Sequence, residues 1–131
     1  MILDKQNMFS EDQAITATAD STSVIDLEAA GHAKGTPIEV WVQVTADFAT
    51  LTSLTVTLNA STVEGMTNAV TLGVTGAIAA ADLVAGYKFT LPSLPYNTLQ
   101  YLELTYTVDG SNATAGTVSA GLVLDQHTNT Y

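Results

Sequence analysis

The 131-residue chain has no cysteine and no arginine. Without cysteine there are no disulfides, no thiol catalysis and no cysteine-based metal site. Three lysines face thirteen acidic residues, for a formal net charge of −10. Such a chain is poorly suited to nucleic acid, and to an anionic membrane surface, because both need Lys and Arg to neutralise phosphate. Charged residues make up only 12% of the chain, about half the usual share. No apolar run approaches the roughly 20 residues of a membrane span. The opening Met1-Ile-Leu-Asp-Lys-Gln-Asn has no basic start followed by an apolar core, so a signal peptide is not expected. Met1 favours synthesis and use in the cytosol over a chain whose signal has been removed.

The polar share is carried by Thr, Ser and Asn, with Thr at about one residue in six. β-Branched Thr fits a pleated, half-exposed surface. The length is that of one domain that can bury a core of its own. The clearest pattern runs from Leu99 to Asp125. Leu102, Leu104, Tyr106 and Val108 alternate with Glu103, Thr105, Thr107 and Asp109. Val118, Ala120, Leu122 and Leu124 alternate with Thr117, Ser119, Gly121 and Asp125. Period-two alternation predicts two half-buried strands. The Gly-, Asn- and Ser-rich stretch Asp109–Gly116 reads as the reversal of a hairpin between them.

Earlier in the chain, residues 1–12 form an unpatterned arm in which Ile2, Leu3, Met8 and Phe9 sit among charges. Such an arm needs a surface, either its own domain or a neighbouring subunit, and Ser10 is placed to cap a short helical turn. Residues 13–131 form the domain proper. Short strands are expected at Ala14–Ala19 and Val24–Leu27, with a turn at Asp20–Ser21. Strands follow at Ile38–Thr45 and Leu54–Leu58, joined by a connection at Asp47–Ser53. Trp41 falls in the polar register of its strand, to pack under a loop or meet a partner. Another strand over Val70–Val74 is interrupted by Gly73, a bulge signal. Ala77–Leu83 is a single helical turn, and Tyr87–Leu91 a strand. Glu28–Pro37 is a loop, Leu91–Asn97 a proline-fixed bend, and Gln126–Tyr131 a polar tail. About eight short strands with almost no helix predict an all-β, two-sheet antiparallel sandwich, either jelly roll or immunoglobulin-like.

The candidate chemistry is thin. His32 and His127 are ninety-five positions apart, and zinc needs three or four ligands. The carboxylates are scattered, with Glu11–Asp12 and Asp26–Glu28 the nearest pairs, and there is no calcium loop. No Gly-x-Ser-x-Gly elbow or phosphate-cradling loop is present. No enzyme, cofactor or metal is expected. Tyr87, Phe89, Tyr96, Tyr101 and Tyr106 lie close in sequence. Tyr106 falls on the apolar face, whereas Tyr96 and Tyr101 are the better interface candidates.

Several stretches together resemble a known family. These are Met1-Ile-Leu-Asp-Lys-Gln with Phe9-Ser10 and Gln13-Ala-Ile-Thr16, then Ala85-Gly86-x-x-Phe89-x-Leu91-Pro92. Tyr101-Leu102-x-Leu104-x-Tyr106-x-Val108 and Gly116-x-Val118-x-Ala120-Gly121-Leu122 complete the set. The chain is similar in them to the capsid cement, or decoration, proteins of short-tailed bacteriophages such as the Bordetella phage. The resemblance implies a non-catalytic jelly roll that dimerises on the outer surface of a virion shell built from a major capsid protein of the HK97-like fold, bridging capsomers. It implies synthesis in the host cytoplasm, and the acidic, arginine-free composition adds that no nucleic-acid or membrane partner is expected. It supplies no contact residues; Ile2, Leu3, Met8, Phe9, Tyr96 and Tyr101 are the interface candidates from the residues themselves. The alternative from another class is a secreted carbohydrate-binding sandwich that stacks sugars on exposed Tyr or on Trp41, against which the missing signal peptide counts.

Overall fold

The computed structural model describes residues 5–27, 39–91 and 99–123. A 3-10 turn, Lys5–Asn7, leads into β1 (Met8–Ala14), β2 (Ala19–Asp20) and β3 (Ile25–Asp26). The long β4 (Glu39–Ser61) follows, then β5 (Val70–Val74), β6 (Ile78–Ala79), a second 3-10 turn (Ala80–Asp82) and β7 (Lys88–Thr90). The long β8 (Tyr101–Val123) closes the described chain. All eight strands join one antiparallel sheet. Among the described residues no helix is long and apolar enough to cross a membrane.

The all-β class is as expected, but the strand count conceals a different layout. The hairpin expected at Asp109–Gly116 does not form. Both of its arms lie in β8, and both pair with β4, from Glu39↔Val123 to Ser61↔Tyr101. The connection expected at Asp47–Ser53 likewise lies inside β4. Register shifts between Val44 and Ser53 mark where both strands bulge, and these are the polar, small-residue stretches that read as turns. Turn chemistry and a bulged bend draw on the same residues.

At that point the sheet folds back on itself. Tyr106 and Ala120 are fourteen positions apart in β8, about 46 Å along a straight strand. Yet Ser10, the registered partner of Ala120, has its hydroxyl 2.8 Å from the Tyr106 hydroxyl. A tyrosine side chain and one strand spacing of about 5 Å span far less than 46 Å, so the two halves of the sheet face each other. One half has the order β1-β8-β4-β7, using residues 39–46 of β4 and 117–123 of β8. The other places β2 and β3 against residues 101–106 of β8, and β5 and β6 against residues 53–60 of β4. Residues 15–18 follow the same bend, held by Ile15 N–H to the Gly116 carbonyl and Ala113 N–H to the Thr16 carbonyl. Residues 15–18 of the strand expected at Ala14–Ala19 are therefore this corner, and β2 runs into the turn expected at Asp20–Ser21.

Bend geometry dictates residue type. Gly116 has φ +135°, and a Cβ there would sit 2.4 Å from the Phe48 ring. Thr50 has φ +74°, unusual for a β-branched residue. It is held because its hydroxyl reaches the Asn112 carbonyl at 2.7 Å and accepts from Thr114 N–H at 3.1 Å.

The core lies between the halves. Val40, Val42, Val44, Val118 and Ala120 come from one side, and Leu54, Val56, Leu58, Leu102, Leu104 and Tyr106 from the other. These are the apolar registers read from the alternation. The register shift beside Gly73 supplies the expected β5 bulge, and the expected helical turn is a 3-10 turn, Ala80–Asp82. The loop at 28–37, the bend beyond Leu91, the tail and both histidines lie outside the described residues.

Candidate protein interface

Of the expected interface residues, Ile2, Leu3 and Tyr96 lie outside the described residues. Met8 and Phe9 are described and are not available to a partner. From Met8 onward the expected arm is β1, a strand of the sheet, and Ser10 sits within it rather than capping a helix. Phe9 is fully buried in the core, with its carbonyl accepting from Ser23 N–H at 3.0 Å. Met8 points to the outer face and packs with Trp41 and Val123. Gly121 makes room for it, since a Cβ there would lie 2.7 Å from the Met8 sulfur. Trp41 does occupy the outward register, but is only 3% exposed. The signal missed in the sequence is that β1 is bulged, with register shifts on either side of Ser10, which breaks the period-two pattern.

Ser10 anchors a buried polar link. Its hydroxyl donates to Gln13 Oε1 at 2.6 Å, so the Tyr106 hydroxyl, 2.8 Å away, is the donor of that contact. Gln13 Oε1 also accepts from Thr22 N–H, and its Nε2 donates to the Asp20 carbonyl. Burial pushes the Tyr106 phenol well above its ordinary value, opposed by the bond to Ser10. A shallow cleft of about 180 Å³ next to it is lined by Lys5, Met8, Ser10, Glu11, Thr22 and Ser23. Ser10 is already partnered there, and the ion pair at its mouth, Lys5 to Glu11 at 3.9 Å, is well exposed and weak.

Tyr101 is half-buried on the outer face, opposite Ser61 and Asp26. Beside it runs a chain of side-chain hydrogen bonds across four strands. Thr71 donates to Asn59 Oδ1 (3.1 Å), Asn59 Nδ2 donates to Thr105 Oγ1 (3.0 Å), and Thr105 donates to Asp20 Oδ1 (2.8 Å). Glu103 stands in the same row, its carboxyl held above the usual range by partial burial and then by Asp20. Thr71, Asn59, Thr105 and Asp20 are satisfied by one another, and Glu103 stands beside this chain of bonds. Among the described residues no group of three or more His, Cys, Asp or Glu side chains is placed to hold a metal.

The two flanks of the sheet differ. The β1–β3 flank carries Glu11, Asp12, Asp20 and Asp26, and its large apolar residues, Met8, Phe9, Ile15 and Ile25, are buried. On the β5–β7 flank, residues 65–81 contain no charged residue. Among the described residues the exposed large apolar side chains are Val63, Val70, Val74, Val84 and Tyr87, all from that second flank. The sequence alone does not reveal this asymmetry, because it depends on which strands have a neighbour on only one side.

The chain matches the Bbp16 family over residues 9–122. It belongs to the Bbp16 family. The matched span opens at Phe9 within β1 and closes at Leu122 within β8, so the family unit is the folded sheet itself. Bbp16 is the name of a Bordetella phage protein, consistent with a phage structural protein. No curated protein matches the chain.

Proposed function

We propose that this Bbp16-family chain is a capsid cement protein, which binds the outer surface of an assembled major capsid shell of the HK97-like fold and stabilises it by bridging capsomers. The observation that carries the reading is the family match over nearly the whole folded sheet. The architecture supports it. Counting β2 with β3 and β5 with β6 as one strand each, splitting β4 and β8 at the bend, and numbering the resulting eight along the chain, one half has the order 1-8-3-6 and faces the order 2-7-4-5. We read this arrangement as a jelly roll, an eight-stranded double-sheet fold shared by viral capsid proteins. The charge balance fits a partner on the outside of a shell, away from packaged DNA.

A cement protein needs no reactive group. It binds assembled shell better than free subunits and so shifts the equilibrium towards assembly. Many copies on one lattice add their effects. The carbohydrate-binding alternative loses one of its platforms, since Trp41 is buried against Met8 and Val123. The test is co-sedimentation of the purified chain with expanded, undecorated capsids of its phage. Saturable pelleting and a higher shell disruption temperature are expected. Failure to pellet at micromolar concentrations overturns the reading.

A further inference from the structure

We propose that this chain meets the shell through its β5–β7 flank, with Val84 and Tyr87 as anchors and an uncharged, apolar patch of the major capsid protein as the surface that covers them. The inference rests on the cement reading, which names the partner but not the face.

Val84 to Tyr87 is a tight turn, closed by Tyr87 N–H to the Val84 carbonyl at 3.0 Å. Gly86, its third residue, has φ +93°, a conformation that glycine supplies in a turn without strain. The turn is fixed to β4 at three points. Gly86 N–H donates to the Val44 carbonyl at 2.8 Å, and Val44 N–H donates to the Tyr87 carbonyl at 2.9 Å. Ala85 N–H donates to Asp47 Oδ1 at 2.7 Å. The Tyr87 ring lies against Phe89, their centroids 5.8 Å apart, and Phe89 packs on the core. Yet Val84 and Tyr87 are 48% and 36% exposed. Two large side chains are thus held in place without being buried, and a partner that covers them has little ordering left to impose. Tyr is also enriched at protein interfaces.

Every exposed large apolar side chain among the described residues lies within 63–87. The charges nearest to them in sequence, Glu64, Asp82 and Lys88, are all exposed. The other described surfaces fit a contact less well. Covering the β1–β3 flank takes Glu11, Asp12, Asp20 and Asp26 out of water, which is costly unless the partner supplies a cation for each. Covering Thr71, Asn59, Thr105 and Asp20 buries groups already bonded to one another. Charge also selects the occupant. Two copies at net charge −10 repel each other, so a second copy is the poorer cover for this flank. A different chain need not carry that charge. Docked this way, each copy points its acidic flank, at the far end of the strand order, away from the contact.

The experiment is co-sedimentation of the full chain with undecorated shells, wild type against Val84→Lys and Val74→Lys. Both positions are exposed, so the melting curves should be retained. Each variant is expected to raise the dissociation constant by on the order of tenfold or more. Glu11→Lys and Asp26→Lys on the other flank should bind like the wild type. Wild-type pelleting should persist in 1 M NaCl, where screening shortens electrostatic reach to about 3 Å. Because the chain has no cysteine, a photo-crosslinker on Val84→Cys supplies an independent readout. It should capture the major capsid protein, whereas the same label on Glu11→Cys should not. Lysine variants that fold and pellet like the wild type overturn the proposal and leave the cement reading standing. Binding lost in high salt, or through the acidic-flank variants alone, overturns it in favour of an ionic contact. Sedimentation velocity without shells tests the second copy: a wild-type dimer that Val84→Lys splits assigns the flank to self-association and overturns the proposal. A wild type that never pellets sinks the cement reading, and the shell contact with it.

Discussion

The Tyr106 hydroxyl donates to the Ser10 hydroxyl across the core, tying β1 on one half of the folded sheet to β8 on the other. Because this bond spans the two faces, Tyr106→Phe should loosen their packing without opening a large cavity. The expected loss is about 1 kcal/mol, or roughly 4 °C in Tm for a domain of this size, read by thermal melting. The same variant has a pH signature. The folded phenol is held above its ordinary value of 10.0 by burial. The stability this gives is fully present below the unfolded pKa and is lost as pH rises above about 10. Alkaline urea titrations should show a shallower loss of stability in Tyr106→Phe than in the wild type. Equal alkaline slopes would contradict the assignment.

Glu103 supplies the opposite case, a charge that is held unfavourably. Its carboxyl is raised above 4.5, by partial burial first and by Asp20 second. A carboxyl whose folded pKa is raised contributes stability only below its unfolded pKa, and that contribution disappears as pH rises through the folded value. At neutral pH the folded state therefore bears an uncomfortable carboxylate. Glu103→Gln should raise Tm at pH 7, and the gain should vanish below about pH 4. A gain that persists unchanged at acid pH would point to packing rather than charge.

How much of this was legible in the sequence follows from the length scale of each signal. The inward registers of Val40, Val42 and Val44, of Leu54, Val56 and Leu58, and of Leu102, Leu104 and Tyr106 were all visible, because alternation is local. The layout was not. Gly110, Asn112 and Gly116 carry turn chemistry, yet they serve a bend inside β8, and only the long-range pairing with β4 distinguishes a bend from a hairpin. The start of β1 reads as part of an arm because its bulge breaks the period. Of the interface candidates, Met8 and Phe9 are buried, and the same break in the period hides this. Phe9 looks idle in an unpatterned stretch but is core, whereas Val70 and Val74 look like ordinary strand residues but are about half exposed.

Gly116 tests the bend directly. Its φ of +135° and the Phe48 ring 2.4 Å from a would-be Cβ leave no room for a side chain. Gly116→Ala must twist the backbone or displace Phe48, itself a core residue. A loss of about 2 kcal/mol or more is expected from strain and overpacking together, measured by urea unfolding. Phe48→Leu in the same chain should recover part of that loss by clearing the contact. If Gly116→Ala unfolds like the wild type, the bend is not built on this contact.

The N-terminal segment separates a docking arm from a structural strand. Phe9 is fully buried, and Met8 packs with Trp41 and Val123 on the outer face. Removing residues 1–12 therefore takes away most of β1 together with a core aromatic. That truncation should lose cooperative unfolding, and Phe9→Ala alone should cost about 3–5 kcal/mol. Removing residues 1–4 leaves β1 whole, and should leave the melting curve within about 0.5 kcal/mol of the wild type. The short truncation is consequently the one to carry into shell co-sedimentation. If it stays folded but no longer pellets, Ile2 and Leu3 make the contact. If it pellets as well as the full chain, contact comes from the folded sheet.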